Sequence, residues 1–125
     1  MRLGKVSLEE KFAAFSHEWS PKIAGEFDNY YVKLVRIGGE FVWHHHESED
    51  ELFFVVEGAI AMHYREESGA EHVERFGPGE FLVVPRGVEH KPVADPGTKL
   101  MLIEQRSVVN TGNVRNERTS EAVRI

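Results

Sequence analysis

After Pro21 the chain breaks into short runs of alternating or continuous apolar residues separated by turn formers, and few architectures can use such a pattern. The runs read KIAGEF, YYVKLVRI, EFVWHHH, ELFFVVEG, AIAMHYRE, EHVERF, EFLVVP, HKPVA and KLMLIEQR. Between them, Asp28-Asn29, Gly38-Gly39, Ser68-Gly69, Gly77-Pro78-Gly79, Arg86-Gly87 and Asp95-Pro96-Gly97 supply positive or fixed φ angles. Many short strands at this spacing predict an all-β sandwich or barrel. At 125 residues there is material for one core, not two.

Before Pro21, Ser7 and Glu10 have capping-box spacing, and Leu8, Phe12, Phe15 and Trp19 recur at helical intervals. They predict a short amphipathic helix over residues 8–16. The expected organisation is an N-terminal helical extension at 1–20, a β-barrel at 21–106 and a tail at 107–125. The tail loses periodicity and large apolar residues, so it is either loosely ordered or laid across a neighbouring surface.

Composition excludes several classes of function. The net charge is −6 with no basic run to offset it, which argues against a nucleic-acid partner. There is no cysteine, so no disulfide, thiolate nucleophile or thiolate-bound metal is available. The N-terminus lacks a continuous hydrophobic segment, and no apolar run is long enough to span a membrane. A soluble, cytoplasmic protein without a membrane partner is expected. In ELFFVVEG both alternation classes are apolar, so the outer face needs a cover from the helix, a second sheet or a partner subunit; a homodimer is the expectation.

The stretch WHHHESEDE, Trp43 to Glu51, carries the chemistry. On an extended chain His44 and His46 face one side and His45 the other. Imidazole nitrogens joined by a carboxylate suit a divalent first-row metal, and Glu47, Glu49, Asp50 and Glu51 are all near in sequence. Glu51 opens the next strand, which fixes its direction; Glu49 and Glu47 are the lesser candidates. His90, just after the Pro85 to Gly87 turn, can add a nitrogen from a distant segment. His17, His63 and His72 fit no such pattern.

The spacing is specific. Five residues separate Gly38 from His44, one separates His44 from His46, four lead on to Glu51 and six to Gly58. Five residues separate Gly79 from Pro85, one lies between Pro85 and Gly87, and two precede His90. These blocks resemble the two sequence motifs of the cupin superfamily, with one departure: Ala94 stands where the second motif usually ends in asparagine. The resemblance implies a small double-stranded β-helix, or jelly-roll, barrel of the RmlC-like kind in which His44, His46, Glu51 and His90 converge on Fe, Mn, Zn, Ni or Cu.

The resemblance further implies a metal-dependent enzyme acting on a small oxygen-rich metabolite such as a sugar derivative, keto acid or phenolic. Isomerase, dioxygenase, decarboxylase and lyase activities are all open. The alternative is a non-catalytic cupin that binds or senses a metabolite or metal. Phe53 and Val55 share Glu51's alternation and are expected beside the metal. Arg36, Tyr31 and Glu104 lie on strands that could border the pocket.

Overall fold

A computed structural model describes residues 3–125. One short helix, α1 (Leu8–Ala13), precedes eight strands: β1 (Lys22–Phe27), β2 (Tyr30–Glu40), β3 (Glu51–Glu57), β4 (Ile60–Arg65), β5 (Glu71–Phe76), β6 (Phe81–Val84), β7 (Glu89–Gln105) and β8 (Val123–Arg124). The mostly antiparallel sheet folds into a β-barrel, one of the two architectures the strand pattern predicted.

β7 organises it. Along one edge β7 pairs with β2, while its other edge is shared, Glu89–Ala94 taking β4 and Lys99–Glu104 taking β3. β5 extends β4 and β6 extends β3, so the sheet folds back over itself. Between the layers lie Val35, Ile37, Phe53, Val55, Ile60, Met62, Phe76, Val84, Ala94, Leu100 and Leu102. The two apolar alternation classes of β3 differ in fate: Phe53 and Val55 are buried in this core, whereas Leu52, Phe54 and Val56 are half-buried.

Three local expectations are corrected. HKPVA and KLMLIEQR are one strand, because Asp95-Pro96-Gly97 forms a bulge and not a break; Thr98 Oγ1 closes it by donating to the Asp95 carbonyl at 2.7 Å. EFVWHHH is not a regular strand: β2 ends at Glu40, and His44 joins the sheet only through an isolated bridge to His90. α1 stops at Ala13, short of residue 16, and Trp19 lies outside it. Ser7 caps the helix as expected, accepting from Glu10 N at 3.2 Å, and Arg36 holds its far end by donating to the Phe12 and Phe15 carbonyls at 2.7 and 2.8 Å. Phe12 is the helix's buried anchor.

Gly58, one of the motif glycines, has φ +89°, and a side chain there would collide with Thr98 of β7. Residues 107–125 lie against the barrel. Asn113 brackets His45, its amide oxygen accepting from His45 N at 2.9 Å while its own N–H donates to the His45 carbonyl at 3.1 Å. Val108 and Thr111 are buried, and β8 pairs in parallel with β1. No helix among the described residues is long and apolar enough to cross a membrane.

Gly112 sits so close to His45 that an added Cβ would run into the His45 carbonyl oxygen. Gly112→Ala is therefore expected to lift this part of the tail while the barrel persists. Limited proteolysis should show cleavage within residues 107–122 accelerated by about tenfold or more, with the barrel's unfolding free energy changed by less than about 1 kcal/mol. Unchanged cleavage would show that the tail is held by other contacts.

Candidate metal centre

The site is built by an irregular ladder between two distant segments. His44 and His90 exchange both backbone hydrogen bonds, at 3.0 and 2.9 Å, with Phe41 N donating to Pro92 O (3.0 Å) and Gly87 N to His46 O (2.7 Å) on either side. In such a hydrogen-bonded antiparallel pair the opposed side chains leave the same face, so both imidazoles point inward. His46, two residues along, follows them, and Glu51 enters from the first position of β3.

Ligand-capable atoms of His44, His46, Glu51 and His90 all lie within 4.8 Å of one another, and all four residues are buried. His44 and His90 each donate Nδ1–H to a backbone carbonyl, Val42 O and Val88 O, both at 2.9 Å. A carbonyl only accepts, so the proton is fixed on Nδ1 and the Nε2 lone pair is bare. His46 Nε2 and His90 Nε2 approach Glu51 Oε1 at 3.2 and 3.6 Å, yet none of these three enclosed atoms makes a well-aligned hydrogen bond. Buried lone pairs left without donors fit a cation of the size and charge of a divalent metal.

Electrostatics agree with that donor set. Burial, reinforced by the neighbouring His90, lowers the His44 pKa to about 4, so this imidazole is neutral at ordinary pH. Burial also opposes charge on His46, but hydrogen bonding to and attraction by Glu51 outweigh it and raise its pKa. Glu51 is fully enclosed, which works against its charge; the Glu104 carboxyl paired across the strands and the close approach of the His46 and His90 rings nevertheless hold it well below the usual carboxylate range. Glu104 moves the other way, well above that range, through burial and then through the Glu51 charge beside it. Its ion pair with Lys33, Nζ to Oε1 at 2.8 Å, only partly offsets these effects. One of the two carboxyls thus stays ionised because the other does not.

The expected residues are distributed as follows. His45 turns away, with Nε2 at 3.4 Å from Glu47 and Nδ1 at 3.8 Å from Glu89. Glu47 is exposed, and Glu49 accepts from Ser107 Oγ at 2.7 Å, so neither joins the cluster. Phe53 stands beside His90, edge to face at 6.1 Å. Of the three residues expected to border the pocket, Glu104 touches the cluster; Arg36 instead caps α1, and Tyr31 lies toward the barrel mouth under the tail. Lys33 was not anticipated. Its signal was available: a lysine in the alternation class of Val35 and Ile37, both core residues, must be buried with a partner.

His44 and Glu51 themselves border an apolar pocket otherwise walled by Trp19, Val35, Phe41, Phe53, Leu100 and Leu102. Trp19 adopts φ +58°, donates Nε1–H to the Gly38 carbonyl at 3.1 Å and stacks on Phe41 at 4.6 Å. The pocket has about 40 Å³ of free space, enough for a few waters at roughly 10–15 Å³ each.

Residues 31–104 match the family model described as cupin domain, more than half of the chain. The chain belongs to the cupin domain family. A crystal structure of a cupin-2 domain containing protein from Shewanella frigidimarina is 40% identical, with a TM-score of 0.75 over 81% of this chain and 94% of that one. KdgF from Halomonas sp. is 27% identical, with a TM-score of 0.58 over 69% and 77% of the two chains. An uncharacterized Bacillus subtilis protein, YdbB, is 28% identical over 99 residues, 79% of this chain and 78% of its own. The four-residue cluster in a cupin barrel supports a divalent metal ion as cofactor.

The pKa directions give opposite pH effects in the metal-free protein. His44 is lowered from 6.5 to about 4, so below pH 6.5 the unfolded chain takes up a proton that the folded chain refuses. Stability therefore falls as pH drops from 6.5 to 4, by at most about 3 kcal/mol. His46 is raised; its contribution is fully present below its unfolded value and is lost as pH rises through its folded value. Urea unfolding of metal-free protein across pH 4–8 should show the acid-side loss, and His44→Gln should flatten it. An acid limb unaltered by that substitution would contradict the assignment.

Proposed function

We propose that this cupin is a metal-dependent enzyme acting on a small oxygen-bearing metabolite, with His44, His46, Glu51 and His90 as the metal ligands. One observation carries the reading: bare imidazole lone pairs and an ionised carboxylate converge, enclosed, at the level where a buried Lys33–Glu104 pair also stands. Burying that many titratable groups together contributes little to stability and is the usual mark of a functional site. A divalent ion held there would act as a Lewis acid or redox centre toward a substrate oxygen.

The protein's own residues have definable parts in this. Val42 and Val88 carbonyls keep His44 and His90 in the Nδ1–H tautomer. Glu104 orients Glu51 and keeps it ionised, while Lys33 fixes Glu104. The apolar wall around Phe53, Leu100 and Leu102 limits water at the cluster. The small volume of that pocket favours a second reading, a non-catalytic cupin that holds a metal or sensed metabolite; turnover of any substrate by metal-loaded protein separates the two.

Elemental analysis of untagged protein purified without chelators should find about one divalent ion per chain. His44→Ala, His46→Ala and His90→Ala should each lose it while remaining folded by circular dichroism, and His45→Ala should retain it. Loss as complete in His45→Ala would invalidate the ligand set.

The oligomer we favour is a homodimer in the cytoplasm. Phe81 and Val83 of β6 are 61% and 48% exposed beside the half-buried outer residues of β3, an apolar surface a partner subunit would cover. Light scattering at micromolar concentration is expected to give twice the mass of the chain, and a monomer there would end the proposal.

A further inference from the structure

The inside of the barrel changes character along its length. The inward alternation of β2 runs Ile37, Val35, Lys33, Tyr31, and that of β7 runs Leu100, Leu102, Glu104, continuing to Arg106 just past the strand. Both pass from aliphatic to charged at the level of Glu51, which pairs directly with Glu104. Beyond that level, toward the mouth, lies a second space of about 480 Å³ roofed by the C-terminal tail.

Tyr31 and Lys33 form part of its floor and wall, Arg106 stands at its side, and Arg115, Thr119 and Ser120 of the tail close it. Three cations face this chamber against one acid, Glu121. Lys33 is already paired with Glu104, but Arg106 reaches Glu26 only at 3.9 Å, and Ser120 Oγ is enclosed without a hydrogen-bond partner. A chamber lined by more guanidinium groups than carboxylates and by an unpaired hydroxyl is complementary to an oxyanion, since arginine pairs with carboxylate and phosphate in fork geometry. Its volume lies within the roughly 300–1,000 Å³ usual for small-molecule sites, whereas the apolar pocket behind His44 admits only a few waters.

We infer that the chamber between β2 and the C-terminal tail binds a small organic oxyanion, a carboxylate or phosphate monoester, through Arg106, Arg115 and the Ser120 hydroxyl, and that the substrate of the metal centre is of this class. The second half of the inference rests on the metal-centre reading; the first half does not. The tail thereby becomes part of the binding site, and Lys33 is the residue common to the chamber and to the chain of contacts that ends at Glu51.

The test is calorimetric titration at low salt with glycerate, glycerol 1-phosphate and glycerol, which share a skeleton and differ in charge, on metal-loaded and metal-free protein with metal content measured by elemental analysis. One of the two anions should bind each form with 1:1 stoichiometry, and the tighter of them identifies the anionic group; glycerol should not saturate. Arg106→Gln and Arg115→Gln should each weaken anion binding by about tenfold or more, while Arg75→Gln on exposed β5 leaves it unchanged, with unfolding midpoints confirming that all three fold. Absence of binding by either anion, or binding that survives both arginine substitutions, would overturn the chamber assignment. Anion binding confined to metal-loaded protein, lost in His44→Ala and indifferent to the arginines, would place the anion on the metal ion and also overturn it. Protein that contains no metal yet binds the anions through the arginines would uphold the chamber and refute only the metal-centre reading.

Discussion

Two backbone hydrogen bonds between His44 and His90 set the geometry on which the site depends. They tie an irregular segment after β2 to the start of β7, residues 46 positions apart in sequence, and make two imidazoles leave one face of the sheet side by side, with ring centroids 4.3 Å apart. The second hydrogen bond of each ring, Nδ1 to a carbonyl two residues earlier, then selects which nitrogen faces inward. Neither ring needs the metal to take up its position. That is what preorganisation means here: orientation and tautomer are determined by the ordering of the backbone.

The electrostatic consequence is a cluster that is poorly neutralised without a cation. Two carboxyls on directly paired residues of β3 and β7 are both enclosed, and the buried Lys33 pairs with only one of them, Glu104. The conflict shows in opposite shifts in the metal-free protein: burial and the Glu51 charge push Glu104 well above the usual carboxylate range, while Glu51 favours charge on His46 and raises its pKa. A divalent ion held there would offset the Glu51 charge and would require His44, His46 and His90 as neutral imidazoles. An apolar core of the same volume would be easier to stabilise, which is why the charged set is better explained by function than by folding.

Much of this was legible in the sequence because strand parity and glycine or proline spacing are local. The alternation placing His44 with His46 and away from His45 needed only a period of two; the preference for Glu51 over Glu49, which shares its parity, and the convergence with distant His90 rested on the spacing of two motifs that resemble those of cupins. Other features depend on contacts that no local pattern encodes. Asp95-Pro96-Gly97 reads as a turn, yet a hydroxyl from Thr98 folds it into a bulge and β7 runs on. EFVWHHH alternates like a strand, yet pairs only along an irregular edge. The tail has no periodicity because its order comes from hydrogen bonds to His45 and from its own polar contacts, Asn110 with Arg118 and Ser120 and Thr111 with Thr119.

Lys33 shows how a reading by parity can be taken one step further. Its position in the class of Val35 and Ile37 already implied burial, and a buried lysine implies a carboxylate across the interior; Glu104, in the same inward class on the adjacent strand, was the available partner. The pair divides the barrel. On one side are aliphatic and aromatic layers that hold the sheet together, and on the other are hydroxyls, guanidinium groups and a roof made by the tail. Because His44, His46, Glu51 and His90 lie at this boundary, their neighbours on one side supply rigidity and on the other supply polarity. The unpatterned tail thereby roofs the polar side of the barrel, beside Lys33 and one contact away from Glu51 through Glu104.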